Sequence, residues 1–312
     1  MSDRAEHAGA HVAVIVAAAG AEDLRRAFAN AVSAASRSAL TPADLCPSGR
    51  EFAHEIEFLP APGFSAKAFQ AKLEAQFGAG ADVAVLPAEP RRKELLISDM
   101  DSTIIAVECL DELAAFAGKK QAVAAITERA MAGELDFDAA LEARVAMLAG
   151  LPLAELEACL EQRIRYSPGA ATLIATLRQA GVRTVLVSGG FTFFTQRIAE
   201  ALGFDAHFGN TLIDDGTHLT GKVGAPILGR EAKLQTLAAE AAGLGVDAEA
   251  AMALGDGAND LDMIQAAGLG IAYRAQPIVS RAARCAINVT SLRTALYFQG
   301  YREADFASPG AA

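Results

Sequence analysis

The chain has 312 residues, a formal net charge of −11, and 52% hydrophobic against 21% charged residues. That length suits two domains of ordinary size, and the apolar share excludes disorder for most of the chain. The acidic balance argues against a nucleic-acid-binding surface, which needs a positive footprint, but allows a local cationic pocket for a small anion.

The longest apolar run near the start, residues 11–20 (HVAVIVAAAG), is far shorter than the ~20 residues of a membrane-crossing helix. Asp3, Arg4 and Glu6 precede it, a mixed set unlike the basic leader of a signal peptide. The expected protein has no membrane span and is cytoplasmic. Cys46, Cys109, Cys159 and Cys285 form no CxxC pair, so neither a disulfide framework nor a zinc site is indicated. The five histidines form no ligand cluster.

In chain order, residues 12–16 predict a strand, 22–35 a helix, 51–59 a strand, 66–77 a helix and 81–86 a strand. Residues 1–90 thus make a small α+β domain, and 87–93 (PAEPRRK) read as a linker. A buried-type strand opens at Glu94 and runs into Asp99, Asp101, Ser102 and Thr103. Residues 107–166 are helical in pattern, with glycines at the segment ends. Strand–helix alternation resumes after Ser167-Pro168-Gly169: helix 170–180, strand 184–187, helix 191–202, a helix carrying Lys233, and strand 251–254. The expected fold class is α/β. A doubly wound parallel-sheet core spans 94–300 and is interrupted by a helical insertion at 107–166; a tail follows at 301–312. Residues 295–300 (ALYFQG) resemble the end of a tag-removal site. They lack the preceding Glu-Asn and run on into Tyr301, so they read as native chain.

Four groups carry chemistry. Asp99 and Asp101 stand two apart on an extended segment, so both side chains can reach one pocket. Two carboxylates that close need a cation beside them or a shared proton. Residues 255–260 (GDGAND) add Asp256, Asn259 and Asp260 after another apolar strand, hard oxygen donors of the kind Mg²⁺ takes. Ser188-Gly189-Gly190 offers a hydroxyl and free N–H groups at an expected helix start, an anion site. Lys233 is the fourth.

This order of motifs resembles the haloacid dehalogenase-like phosphohydrolases. Residues 108–114, 126–133, 137–150, 187–191 and 255–263 are similar to the phosphoserine phosphatase branch of that family. The resemblance implies a Rossmann-like core with a helical cap, behind an ACT-like leading domain. It implies Mg²⁺-dependent hydrolysis of O-phospho-L-serine, the last step of serine biosynthesis, with one Mg²⁺ per site. Asp99 would be the nucleophile and Asp101 the general acid and base. Asp99, Asp101, Asp256 and Asp260 would serve the metal; Ser188, Gly189, Lys233 and Asn259 would bind the phosphoryl group. In the cap, Glu108 would hold the substrate ammonium and Arg144 its carboxylate, under an apolar lid of Met131 and Phe137. Met100 stands where the family commonly has an aromatic, and its side chain is expected to point away from the site. Two other readings remain at this point: phosphoryl transfer to another hydroxyl amino acid such as homoserine, and a leading domain that senses an amino acid or pairs two chains into a homodimer.

Overall fold

A computed structural model describes residues 9–19, 22–131 and 136–308. The leading unit runs β1 (His11–Ala17), α1 (Glu22–Ser33), β2 (Thr41–Asp44), β3 (Phe52–Phe58), α2 (Ala66–Phe77) and β4 (Ala81–Pro87). Its strands pair antiparallel in the order β2-β3-β1-β4, the βαββαβ ferredoxin-like pattern. The unbroken apolar run of β1 follows from burial on both faces. Ala13, Ile15 and Ala17 pack with Phe28 and Leu73 of the two helices. Val12, Val14 and Val16 share a cluster with Leu296 and Phe298 near the other end of the chain. β2 is missing from the sequence expectation: TPAD carries a proline and no alternation, as edge strands do.

The second unit continues with β5 (Leu95–Ser98), α3 (Cys109–Phe116), α4 (Lys120–Met131), α5 (Phe137–Ala146), α6 (Ala154–Arg163) and α7 (Ala170–Gln179). Then come β6 (Arg183–Phe191), α8 (Thr192–Leu202), β7 (Ala206–Asn210), β8 (Leu212–Asp214), β9 (Leu219–Val223) and α9 (Arg230–Leu244). It closes with β10 (Ala251–Gly255), α10 (Leu261–Ala266), β11 (Leu269–Tyr273), α11 (Pro277–Ala282), β12 (Cys285–Ile287) and α12 (Thr294–Phe298). Six strands form a parallel sheet in the order β12-β11-β10-β5-β6-β7. The chain leaves β5 toward β7 on one side, then restarts at β10 on the other. That reversal opens a crevice at the carboxyl ends of β5, β6 and β10.

Helices α3–α6 form the insertion between β5 and α7. Its two crossing segments are stitched together. Ala106 N–H donates to Arg165 O at 2.9 Å, Ser167 N–H to Ile104 O at 2.9 Å, and Ile105 bridges Tyr166. The β8–β9 hairpin covers the insertion from outside: a Cβ on Gly221 would stand 2.8 Å from Ala149 Cβ. No described helix is long and apolar enough to cross a membrane.

Two readings gain detail and a third changes. The stretch 87–93 is tied to both units through Arg91, which pairs with Glu55 at 2.7 Å and donates to the Tyr297 carbonyl at 3.2 Å. Residues 295–298 are fully buried in the core, in keeping with their reading as native chain. And β6 runs on through Phe191, so Ser188-Gly189-Gly190 is an irregular strand end rather than a helix start. The missing side chains at Gly189 and Gly190 leave room there for Phe137 and Asp101.

Candidate active site

Asp99 follows the last residue of β5, and its N–H still bonds the Leu254 carbonyl of β10 at 2.9 Å. The chain then curls through Met100–Ile104, with Ser102 in the left-handed region at φ 56°. A non-glycine residue held there costs of order 1–3 kcal/mol, a strain typical of functional turns. The turn buries Met100 in the core and leaves Asp99 and Asp101 lining a cavity of 480 Å³. Asp99 is 5% and Asp101 8% exposed.

Asp101 is held on both oxygens, Oδ1 by the Cys109 N–H at 2.8 Å and Oδ2 by the Ser188 hydroxyl at 2.9 Å. Ser188 Oγ in turn accepts from the Gly190 N–H at 2.8 Å. Gly190 has no room for a side chain: a Cβ would stand 2.6 Å from Asp101 Oδ2.

Lys233 lies on the buried stripe of α9 with Leu237 and Ala241, one turn apart each. It is 0% exposed, and its Nζ donates to Asp99 Oδ1 and Asp260 Oδ1, both at 2.6 Å. It therefore stands behind Asp99 rather than on the cavity wall. Asp260 Oδ2 accepts from the Asp256 and Gly257 N–H groups at 3.2 and 3.0 Å. Asp256 Oδ1 accepts from the Thr103 hydroxyl at 2.9 Å. Asn259, Ser188 and Gly189 line the cavity, as do Glu108, Phe137 and Arg144 of the insertion.

Glu108 immediately precedes α3 and accepts from the Ser102 hydroxyl at 2.6 Å. Its carboxyl is open to the cavity, yet the surrounding protein and then Asp101 push its pKa up to about 7. Arg144 in α5 donates from Nε to Ala140 O at 3.2 Å; burial holds its pKa below the ordinary arginine value, against the opposing pull of Asp111 and Glu108. Phe137 opens α5, capped by Asp136, whose Oδ1 accepts from the Ala139 N–H at 2.8 Å. The Phe137 ring reaches across to the core, 3.2 Å from where a Cβ on Gly189 or Gly229 would stand. Met131 ends α4; its side chain lies outside the described residues.

One residue escaped the sequence reading. Asn210, at the end of β7, donates from Nδ2 to Gly189 O at 2.8 Å and Leu228 O at 3.2 Å, and accepts from Leu228 N–H at 2.7 Å. It fixes the Ser188–Gly190 strand end against the segment entering α9. Nothing local marks it, because β7 itself is short and mixed in polarity.

The site is short of positive charge. Asp99, Asp101, Asp256 and Asp260 face the single ammonium of Lys233. Burial and then Asp260 drive Asp99 well above the usual carboxylate range, and push Asp256 up to about 6. Asp101 is also raised by burial, against the Cys109 N–H. Burial opposes the Lys233 charge, but Asp260 and Asp99 outweigh it and hold its pKa above the ordinary lysine value. Oxygens of Asp99, Asp256 and Asp260 lie within 4.8 Å of one another, a group able to hold a metal ion. A divalent cation with hard oxygen ligands suits this donor set and answers the charge deficit.

The family pattern described as haloacid dehalogenase-like hydrolase matches residues 96–265, from β5 into α10. The chain belongs to this family. A phosphoserine phosphatase of Streptomyces coelicolor is 46% identical over 224 residues, which is 71% of this chain but 54% of that protein. The chain therefore spans about half the length of that relative. A phosphoserine phosphatase of a Polaromonas species is 46% identical over 200 residues, 62% of this chain and 85% of that one. In structure, a haloacid dehalogenase-family hydrolase of Salmonella enterica serovar Typhi matches with a TM-score of 0.82 at 32% identity, over 92% of this chain and 98% of that one. Such coverage takes in the leading unit as well as the hydrolase core.

Proposed function

We propose that the protein hydrolyses O-phospho-L-serine to L-serine and inorganic phosphate in the cytoplasm. The observation that carries this is the pairing, across one cavity, of Glu108 and Arg144 with Asp99 and Asp101. A small molecule bearing an ammonium, a carboxylate and a phosphate ester matches that distribution. Arg144 supplies a planar fork for the carboxylate. Glu108, poised near neutrality, gains its charge when an ammonium binds beside it. The names of the relatives point the same way.

The residues then act as follows. Asp99, steadied at Oδ1 by Lys233, attacks phosphorus with its other oxygen; the bond from phosphorus to the serine oxygen breaks. Asp101 gives that oxygen a proton, and Ser188 can accept the hydrogen bond while Asp101 is protonated. In the second step Asp101 takes a proton from water as the water oxygen attacks phosphorus and Asp99 leaves. Ser188, the Gly189 N–H and Asn259 cradle the phosphoryl oxygens, with Lys233 lending its charge from behind Asp99. Phe137 closes the cavity against bulk water.

Asp99, Asp256 and the Asp101 carbonyl would hold one Mg²⁺, which supplies charge stabilisation for the transferring group. Asp260 supports that set; its oxygens are engaged by Lys233 and two N–H groups. Stripping divalent ions with EDTA should abolish turnover, and Mg²⁺ should restore it; undiminished activity after stripping would remove the metal from the account. The leading unit is read as ACT-like, in pairing two chains or in binding an amino acid.

Phosphate release from a panel of phosphorylated metabolites, with and without Mg²⁺, tests the assignment. Phosphoserine should have the highest kcat/KM. Arg144→Ala should raise KM for phosphoserine by roughly 10–100-fold, as expected for a lost charge-assisted fork, and leave a neutral aryl phosphate nearly unaffected. Equal effects on both would take Arg144 out of substrate recognition.

A further inference from the structure

The leading unit is joined to the catalytic unit by a buried carboxylate. Asp82, on β4, is 4% exposed. Its Oδ1 accepts from the Asn288 and Val289 N–H groups at 2.7 and 3.1 Å. Its Oδ2 accepts from the Thr290 N–H at 2.8 Å and from the Thr290 hydroxyl. Successive N–H groups wrapped round one anion form a nest, here closed by a side chain from another unit. No cation pairs with Asp82 among the described residues. Glu51 adds a second tie, accepting from Arg293 Nη2 at 2.9 Å and from the Tyr297 hydroxyl at 2.8 Å.

The segment that Asp82 grips leads directly to the stalk of the cap. The Leu292 N–H donates to Pro168 O at 2.9 Å. Gly169, at φ 85°, sits so close to Arg293 that a Cβ would stand 2.8 Å from its backbone nitrogen. Two residues earlier, Ser167 N–H bonds Ile104 O, at the end of the turn that carries Asp99 and Asp101. The second crossing segment of the cap is therefore anchored on a loop held by a residue of the leading unit, and the first crossing segment is bonded to the second.

We propose that Asp82 is a positioning residue for the reaction: through residues 288–293 it fixes the cap stalk, and with it the placement of Glu108 and Arg144 across the cavity from Asp99. The proposal rests on the reading of the cap as the substrate-recognising element. A contiguous chain of packed and hydrogen-bonded groups is the physical means of such coupling, with effects of about three- to thirty-fold.

The test is Asp82→Asn in the full chain, which keeps the side-chain shape but replaces one acceptor oxygen by a donor. Amide hydrogen exchange should quicken at 104–107 and 164–169 while β10 and β11 keep their protection. KM for phosphoserine should rise roughly three- to thirty-fold, with kcat for an aryl phosphate within about two-fold. The control is Ile15→Val, which trims the leading unit's own core on the face away from the catalytic unit. Faster exchange confined to 288–294, or the same stalk response in Ile15→Val, would overturn the proposal. Should Asp82→Asn fail to fold, Thr290→Val removes one donor to Asp82 and is read by the same measurements. The exchange readout needs no substrate, so it decides the link separately from the phosphoserine assignment.

Discussion

Asp99→Asn is expected to lower turnover by a factor on the order of 10⁴ or more, as losses of a nucleophile do, without loss of stability. The amide keeps the shape and can still accept from Lys233 at Oδ1, where the ammonium now stands at 2.6 Å. It cannot form or release an acyl phosphate. The stability half of the expectation comes from the crowding of charge. Burial and Asp260 already hold the Asp99 carboxyl well above its ordinary pKa, so its ionised form is a burden on the fold. Removing one negative charge from that cluster should leave the melting temperature unchanged or raise it. Wild-type turnover in this variant would sink the mechanism, and a large drop in melting temperature would contradict the charge argument.

Lys233→Met has the second large effect, and it reaches the fold. The ammonium is completely buried and bonds two carboxylates that have no other cation among the described residues. Methionine fills similar space but leaves Asp99 and Asp260 buried without their counter-charge. Removing one partner of a buried ion pair costs roughly 3–5 kcal/mol, because the remaining charge stays desolvated. Urea titration should show that loss, and turnover should collapse with it. Added Mg²⁺ should recover part of the stability, because the same oxygens then have a cation. Lys233→Arg is not a conservative rescue, since a planar guanidinium does not fit a fully enclosed site shaped for a compact ammonium. A variant as stable as wild type in metal-free buffer would mean that the four carboxylates are less charged than the geometry implies.

Much of this is legible in the sequence. The strand at β5 and the acids behind it stand out because a buried parallel strand that opens onto a ligand crevice needs an apolar run with polar groups at its carboxyl end. α2 begins and ends where its pattern puts it, with Ser65 capping the first turn through the Ala68 N–H. Lys233 is a lone cation in the sequence; what marks it in the structure is its place on the apolar stripe of α9, a period that can be counted. The edge and hairpin strands are harder. β7, β8 and β9 hold three to five residues each, with few apolar side chains and an Asp-Asp-Gly turn as the main signal. Asn210 is lost with them. The Ser188 strand end reads as a helix start because the glycines hide how far β6 extends. Asp82 carries no local signal at all, since its four donors lie more than two hundred residues away in sequence.

The central claim is that the phosphoryl group passes through Asp99. Acid-quenching the wild-type protein during turnover of phosphoserine, followed by peptide mass spectrometry, tests it most directly. A phosphoryl adduct is expected on the peptide containing Asp99 and absent from Asp99→Asn. An adduct on another residue, or phosphate release at full rate with no adduct on Asp99, would contradict it.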